Sequence, residues 1–481
     1  MSLPNRRSFL GYLGAGAVAG RATSPVAQLT CKPVTPPNEL DALVELVRKT
    51  PRRELLAKVI ELRADWRDLL AAAFLAGIRD VEPRPVGFQF HCVMMTSSAF
   101  EIAARAPENE RLAAALYNLD DFKQSQAQDA QRGDWSMATA PATDAVDARQ
   151  AAARVTEVLT NWDLDGADFA STALAHCCSL DEAFDAVWWF CLRDFTNIGH
   201  NPIFAAQAHR TLQHIGWRHG TDVVRSLVYG LLDGKPGAAD ATFVANHERA
   251  ARLVLPGPAG LSKPASQDVV FDLVAELRHA TPDAASAVVV EALSKGMPLD
   301  SLWDALRLFA AEQSWRDPGI LSAHAMTSVN ALRYIAGRAR TAALRSMAVL
   351  QAVSWQVLYR DFLSSRGSYD KQAQGIHTLQ RAEQDIDAAA VFAAAGDDAR
   401  KAAPLALAAA QNSTNELMAS ARHWLLRKAH EHHDYKFTAA LLEEMQAASA
   451  DTAPRLFAAS LGYLRKPSDR DHELWALVLG G

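Results

Sequence analysis

The chain has 481 residues, of which 49% are hydrophobic and 22% charged, so it can bury a large core and is not intrinsically disordered. Its 25 glycines and 21 prolines are few beside the many alanines, a balance that disfavours a turn-rich sandwich or barrel and favours packed helices. The formal net charge of −6 argues against nucleic-acid binding, because nucleic-acid-binding modules usually carry a basic face.

The first thirty residues have the pattern of an export signal. Arg6 and Arg7 precede Phe9, Leu10 and a short run rich in glycine and alanine, which is typical of twin-arginine signal peptides. The apolar run is too short to form a stable membrane span. We therefore predict that residues 1–30 are a twin-arginine signal peptide, that the export machinery of this route is a partner, and that the protein is periplasmic or otherwise exported.

The rest of the chain shows the periodicity of amphipathic helices. Apolar residues recur at i, i+3, i+4 and i+7 in the segments 39–80, 149–160, 168–192, 203–232, 268–279, 284–312, 322–365 and 383–465. The sequence has no sustained alternation of apolar and polar residues over the length of a strand, so we predict an all-α fold. Breaks rich in small residues or proline fall at 133–147 and 256–264. The second break predicts a linker between an N-terminal helical half, 38–255, and a C-terminal helical half, 265–470, which together form one catalytic domain.

Two pairs of histidines recur at the same separation in the two halves. His91 and His324 each precede the letters Met-Thr-Ser, and His200 and His433 each precede a phenylalanine by four residues. The separation is 233 residues in both pairs, from 91 to 324 and from 200 to 433. Equivalent positions of stacked repeats can converge on a common axis. We therefore predict a large helical bundle or repeat built from two related halves around a central metal site.

Four histidines contributed by four helices suit metal binding. Neutral imidazole nitrogens bind first-row metals at about 2.0–2.2 Å, and such ligands can meet in the core of a helical bundle. Four nitrogens and one oxygen ligand would suit iron or another divalent transition metal with a position open to dioxygen or substrate. A ligand imidazole also needs an acceptor for its second N–H. Nearby polar candidates for that role are Asp194, Asn197 and Asp434.

Other chemistry-bearing residues have weaker patterns. The remaining eleven of the 15 histidines are interpreted as structural or surface residues, with His209 kept as an alternative to His200. His176 beside Cys177 and Cys178 is more typical of a core than of a metal site, and the five cysteines lack CxxC spacing. Candidates for lining an aromatic pocket, or for ordinary core packing, are Trp188, Trp189, Trp217 and Tyr435.

Three segments resemble motifs of the questin oxidase-like family. The segment 199–202, Gly-His-Asn-Pro, is similar to a family Gly-His-Pro motif with Asn201 inserted. The segment 324–333 is similar to His-x-x-Thr-x-x-x-Ala-Leu-Arg, and the segment 433–436, His-Asp-Tyr-Lys, is similar to a late Asp-x-His-x-x-Lys motif. His91 lies where the family has an early histidine-containing helix, without the family's Asn-His pair. The order of these motifs, rather than any one of them, carries the resemblance.

The resemblance covers about residues 50–465 and implies a particular chemistry. Some family members oxidise anthraquinones and related aromatic polyketides by ring-opening oxygenation or Baeyer–Villiger-type oxygen insertion. One branch is similar to a non-haem iron enzyme in which four histidines and a carboxylated lysine bind the metal. Carried over to this chain, the implied ligands are His91, His200, His324, His433 and the modified lysine Lys436.

The residues and the resemblance together predict an exported, metal-dependent oxidoreductase. The expected cofactor is iron, with another divalent transition metal as the alternative, and the expected substrates are dioxygen and an aromatic or quinone-like small molecule. Two other classes stay open. One is a helical-repeat binding or scaffold protein whose histidines are structural, and the other is a metal-dependent hydrolase, since an ion that activates water needs similar ligands.

Overall fold

The computed structural model describes residues 37–480 apart from 145, 194, 196, 234–240, 254, 256–265 and 385. Within these residues the protein is all-α, with 22 α-helices and no strand, which confirms the predicted fold class. The predicted signal peptide and the predicted linker at 256–264 lie outside the described residues. The relation between the two halves stays a prediction.

Twelve α-helices precede residue 265. They are α1 (Pro37–Lys49), α2 (Arg52–Glu61), α3 (Trp66–Asp80), α4 (His91–Met94), α5 (Thr96–Ala104), α6 (Arg111–Ala130), α7 (Ala148–Asn161), α8 (Leu164–Cys177), α9 (Leu180–Cys191), α10 (His200–Ile215), α11 (Gly220–Leu231) and α12 (Ala241–Ala250). Single 3₁₀ turns lie at Phe88–Phe90, Glu108–Glu110 and Trp217–His219. The predicted break at 133–147 falls in the connection between α6 and α7.

Ten α-helices follow. They are α13 (Gln267–Leu277), α14 (Pro282–Ser294), α15 (Leu299–Arg316), α16 (Ile320–Arg338), α17 (Ala342–Ser364), α18 (Ala388–Asp397), α19 (Ala399–Lys428), α20 (His432–Ala447), α21 (Thr452–Ser460) and α22 (Trp475–Gly480). A 3₁₀ turn lies at Ile376–Thr378. Among the described residues, no helix is both long enough and apolar enough to cross a membrane.

The ends of the helices follow from local side-chain chemistry. Asp147 accepts a hydrogen bond from the backbone N–H of Gln150 (2.8 Å), whose side chain accepts one from Asp147 N–H, forming a capping box at the start of α7. The side chains of Asp65 and Asp387 likewise accept hydrogen bonds from backbone N–H groups in the first turns of α3 and α18. These caps satisfy backbone N–H groups that have no partner within the helix.

The core is centred on two helices of the second half of the chain. Residues 301–315 of α15 and 321–332 of α16 are buried on every side, as expected for helices in the interior of a large protein. Helices α10 and α20 pack against α16, and α5 packs against both α10 and α20. This arrangement brings the starts of helices that are far apart in sequence to one place.

Candidate metal centre

Four buried histidines meet at one point of the core, and we call them the four-histidine group: His91, His200, His324 and His433. Each offers a ring nitrogen that lies within 4.8 Å of those of the other three. No member is more than 5% exposed. The structure therefore brings together the four histidines that the sequence predicted, one each from α4, α10, α16 and α20.

Every member lies near the N-terminal end of its helix. His91 and His200 are the first residues of α4 and α10, His433 is the second of α20, and His324 is the fifth of α16. The N-terminal ends of helices carry partial positive charge from the aligned peptide dipoles. Their convergence disfavours protonated imidazoles here, and a metal ion at this point would need an anionic ligand beside it.

Two glycines permit the close approach of α10. Gly199 has φ +75°, and a Cβ atom there would lie 2.5 Å from Ser328 Oγ and 2.6 Å from Tyr359 Oη. Gly87 has φ +117°, and a Cβ atom there would lie 2.8 Å from Cε1 of the His200 imidazole. Both positions therefore require glycine for backbone conformation and for space, and both fix the position of the His200 side chain.

The four imidazoles form a closed ring of contacts in which each packs against two neighbours. Neighbouring ring centroids are 4.9 Å apart for His91 and His200, 4.6 Å for His200 and His324, 4.9 Å for His324 and His433, and 4.5 Å for His433 and His91. The diagonal between His91 and His324 is longer, at 6.2 Å. The ring centroids are therefore unequally spaced around the group.

The hydrogen bonds leave nitrogen atoms free to act as ligands. His324 Nδ1–H donates to the Ile320 carbonyl (2.6 Å), so His324 Nε2 carries the lone pair and accepts from His200 Nε2–H (2.8 Å), an imidazole pair that a metal ion would replace. His200 Nδ1 and both ring nitrogens of His433 are buried without a hydrogen bond. Glu431 Oε2 is 3.6 Å from His433 Nδ1, beyond hydrogen-bond distance. Each unsatisfied buried polar group costs about 1–3 kcal/mol, and a bound metal ion would account for the unsatisfied His433 nitrogen.

Electrostatics favours the neutral form of the group. Burial lowers the pKa of each of its imidazoles, to about 3 for His324, and the nearby Lys436 ammonium lowers these pKa values further. Neutral imidazole is the form that binds a metal ion. The group is therefore ready to bind metal at neutral pH without first losing a proton.

Lys436, predicted as the fifth ligand, lies inside the same cluster. It is 1% exposed, lies one turn after His433 on α20, and its Nζ donates to His91 Nδ1 (2.7 Å). Burial lowers the pKa of Lys436 to about 7. Burial therefore favours the neutral, nucleophilic amine of Lys436 over the ammonium.

One further histidine at the site was not predicted. His432 stacks on His91 with ring centroids 4.2 Å apart and an interplanar angle of 23°, and its Nδ1 is 3.4 Å from Asp121 Oδ1. The sequence interpretation placed His432 among the structural or surface residues. Its only signal was adjacency to His433, which does not show which of two consecutive side chains faces inward.

The side chains of two predicted acceptors for the second imidazole N–H, Asn197 and Asp434, bond to other partners. The Asn197 side chain donates to the Val86 carbonyl, and Asp434 accepts from His430 N–H (2.9 Å) and pairs with Arg465 (2.7 Å). Asp434 lies in the first turn of α20, where a carboxylate satisfies backbone N–H groups. The acceptor observed for His324 is instead a backbone carbonyl. Asp194 lies outside the described residues.

The predicted aromatic candidates pack elsewhere. Among the described residues, the ring contacts of the four-histidine group are with its own members and with His432. Trp188 packs edge-on against His209 (5.4 Å), and Trp217 Nε1 donates to the Cys178 carbonyl (2.9 Å). His209 bonds to other partners and does not replace His200 in the group.

Comparisons with protein-family models, with curated proteins and with solved structures find no match for this chain. The resemblance to questin oxidase-like proteins therefore depends on the sequence motifs alone. What the structure adds is a buried four-histidine group suited to hold a metal ion.

Proposed function

We propose that the four-histidine group holds a divalent first-row transition metal, with iron preferred, and that the protein is a metal-dependent oxidoreductase. The observation that carries the proposal is the meeting of four buried imidazoles whose ring nitrogens include buried atoms without hydrogen bonds. A protein that used these histidines only for packing would gain nothing from leaving such atoms unsatisfied.

The number of candidate ligands supports iron over tetrahedral zinc. The four imidazoles and the proposed carbamate of Lys436 make five ligands, one more than a tetrahedral zinc site holds. Five- or six-coordinate ions such as iron accept this arrangement and keep positions open for exchangeable ligands.

Lys436 is proposed to supply the fifth, anionic ligand as a carbamate. Its neutral amine forms an N–C bond with carbon dioxide and releases one proton, which converts the neutral side chain into a carbamate with an anionic oxygen ligand. The burial of Lys436 and its position one turn after His433 support this role. The convergent N-terminal ends of the ligand helices favour the negative charge.

The proposed reaction is the oxidation of an aromatic or quinone-like small molecule by dioxygen, as the family resemblance implies. Iron supplies the one-electron chemistry that links such a substrate to dioxygen. The contribution of the chain is to fix four neutral imidazoles, to hold Lys436 beside His91, and to exclude bulk water from the group. Export by the twin-arginine route is part of the proposal and rests on residues 1–30.

Metal analysis of untagged protein, produced with iron in the medium, tests the metal site. We expect about one equivalent of iron per chain, and a sharp loss in His324→Ala, because His324 Nε2 faces the group. The matched control is His279→Ala at an exposed position, which should retain full metal content. Less than a tenth of an equivalent of any transition metal would contradict the proposal and favour a scaffold protein.

Oxygen consumption with phenolic and quinone-type compounds tests the reaction class. An iron-loaded protein should consume dioxygen in their presence, and His324→Ala should not. A protein that holds zinc and consumes no oxygen would instead be assigned to the hydrolase class.

The carbamate is tested by metal titration in the presence and absence of bicarbonate. Wild-type protein should bind metal more tightly when bicarbonate is present, whereas Lys436→Met, which keeps a buried chain of similar length, should show no bicarbonate dependence. Equal bicarbonate dependence in both proteins would remove Lys436 from the ligand set.

A further inference from the structure

A second cluster of hydrogen-bonded groups lies on the same two helices, α10 and α16, away from the four-histidine group. His209 is nine residues after His200 and Tyr334 is ten after His324, which corresponds to about 14–15 Å along each helix. His209 is fully buried and Tyr334 is 7% exposed, whereas the Asp181 side chain is 63% exposed. The cluster therefore runs from the core to solvent.

The chemistry of the partners fixes the direction of these hydrogen bonds. Burial lowers the pKa of His209, and the hydrogen bond from His209 lowers the pKa of Asp181, so the pair is a neutral imidazole and a carboxylate. A carboxylate only accepts, so His209 Nε2–H donates to Asp181 Oδ1 (3.0 Å). His209 Nδ1 then carries a lone pair that accepts from the Tyr334 hydroxyl (2.8 Å). Gln213 Oε1 is more distant from that hydroxyl, at 3.4 Å.

Two arginines determine how Tyr334 can lose an electron. The Arg210 guanidinium lies 4.2 Å from the centroid of the Tyr334 ring, and that of Arg338 lies 5.4 Å from it. Positive charges over the ring strongly disfavour a tyrosine radical cation. An electron can leave this ring at low cost only if the phenolic proton leaves with it.

We propose that Tyr334 is a redox-active tyrosine that passes its proton to His209 when it is oxidised. One electron goes to a one-electron oxidant, the O–H bond of Tyr334 breaks, and the proton forms a bond to His209 Nδ1. The products are a neutral tyrosyl radical and an imidazolium whose charge is offset by Asp181, and reduction by one electron reverses each change. The oxidant is a strong outer-sphere one-electron oxidant, with a potential above that of the tyrosyl couple, so the proposal does not depend on the metal centre.

Flash photolysis of the full-length, metal-free protein tests the proposal. A ruthenium(III) polypyridyl complex generated by the flash serves as the oxidant, and the tyrosyl radical is detected by its visible absorption band and by electron paramagnetic resonance. We expect the long-lived radical in wild-type protein and its loss in Tyr334→Phe. Tyr369→Phe is the matched control, because the Tyr369 hydroxyl contacts the Gln313 amide (3.2 Å) and no imidazole. An undiminished signal in Tyr334→Phe would overturn the assignment.

Asp181→Asn tests the proton route without disturbing the core, because this side chain is largely exposed. An amide offsets the imidazolium charge poorly, so we expect radical formation to be at least about fivefold slower. The kinetic isotope effect in deuterated water should also show that proton transfer limits the rate. A rate unchanged by Asp181→Asn, with no isotope effect, would show that these hydrogen bonds are only structural.

Discussion

Several residues at the four-histidine group are arranged for ligand binding in a way that lowers the stability of the metal-free protein. His433 has no hydrogen bond from either ring nitrogen, and Lys436 is buried with its amine against His91. Burial of polar groups without partners destabilises a fold unless a ligand satisfies them. Gly87 and Gly199 also have backbone conformations with positive φ. Gly87 lies against the His200 ring, and Gly199 directly precedes His200.

Gly87→Ala should weaken metal binding by about tenfold or more. Its Cβ atom would lie 2.8 Å from the His200 ring, and φ +117° is strained for any other residue, at a cost of about 1–3 kcal/mol. The measurement is a metal titration, with circular dichroism to confirm that the helices are retained. Gly133→Ala is the matched control, since nothing lies within 4 Å of its Cβ position. Equal metal affinity in both variants would show that the His200 ring can move freely.

At the scale of helices, a buried charge network holds the ligand helices in register. Glu444 on α20 accepts from Arg307 of α15 (2.6 Å), and from Asn330 (2.7 Å) and Arg333 (2.8 Å) of α16. Arg210 of α10 joins it through Asn330 (2.9 Å). The network therefore connects three of the four helices that supply histidines.

Glu444→Gln should destabilise the protein by about 2–3 kcal/mol, because Arg307 and Arg333 would each lose one of two carboxylate partners and keep only Asp304 and Glu443, respectively. Denaturant unfolding of the metal-free protein measures this loss. Glu291→Gln is the control, since Glu291 pairs with Lys295 on the surface and its loss should leave stability unchanged. A Glu444→Gln variant as stable as the wild type would mean that Asp304 and Glu443 alone neutralise the two arginines.

The helical periodicity in the sequence predicted where helices lie better than where they end. The predicted segment 149–160 matches α7, but the segment 284–312 contains both α14 and α15. The missed break is at Gly296, which has φ +92° and precedes Pro298 by two residues. Apolar residues continue through this short turn because the next helix also faces the core, so hydrophobic patterning alone cannot show the end of a helix.

At the scale of the whole molecule, the site depends on contacts between segments more than a hundred residues apart. The equal spacing of the two histidine pairs indicated which four histidines to choose, and the structure confirms their meeting. The spacing could not indicate His432, nor the backbone carbonyl of Ile320 as acceptor for His324, because both depend on how the helices are rotated against one another. The site forms only when the whole fold does, and bound metal should therefore stabilise that fold.

The many buried neutral histidines should also make the metal-free protein sensitive to acid. His214 is 4% exposed, stacks on Phe100 with ring centroids 4.6 Å apart, and burial lowers its pKa to about 4, against about 6.5 in the unfolded chain. Between these values the unfolded state binds a proton that the folded state does not. The stability present above pH 6.5 is therefore lost as the pH falls towards 4, by up to about 1.4 kcal/mol per pH unit for this one group.

Urea unfolding of the metal-free protein between pH 7 and pH 5 measures this dependence. We expect the free energy of unfolding of the wild-type protein to decrease as the pH is lowered. In His214→Gln the decrease should be less steep, by the slope that corresponds to the uptake of at most one proton on unfolding. His279→Gln, at an exposed position, should retain the wild-type slope. If His214→Gln retained that slope as well, His214 would have to bind its proton equally in the folded and unfolded states, and its burial against Phe100 would not keep the imidazole neutral.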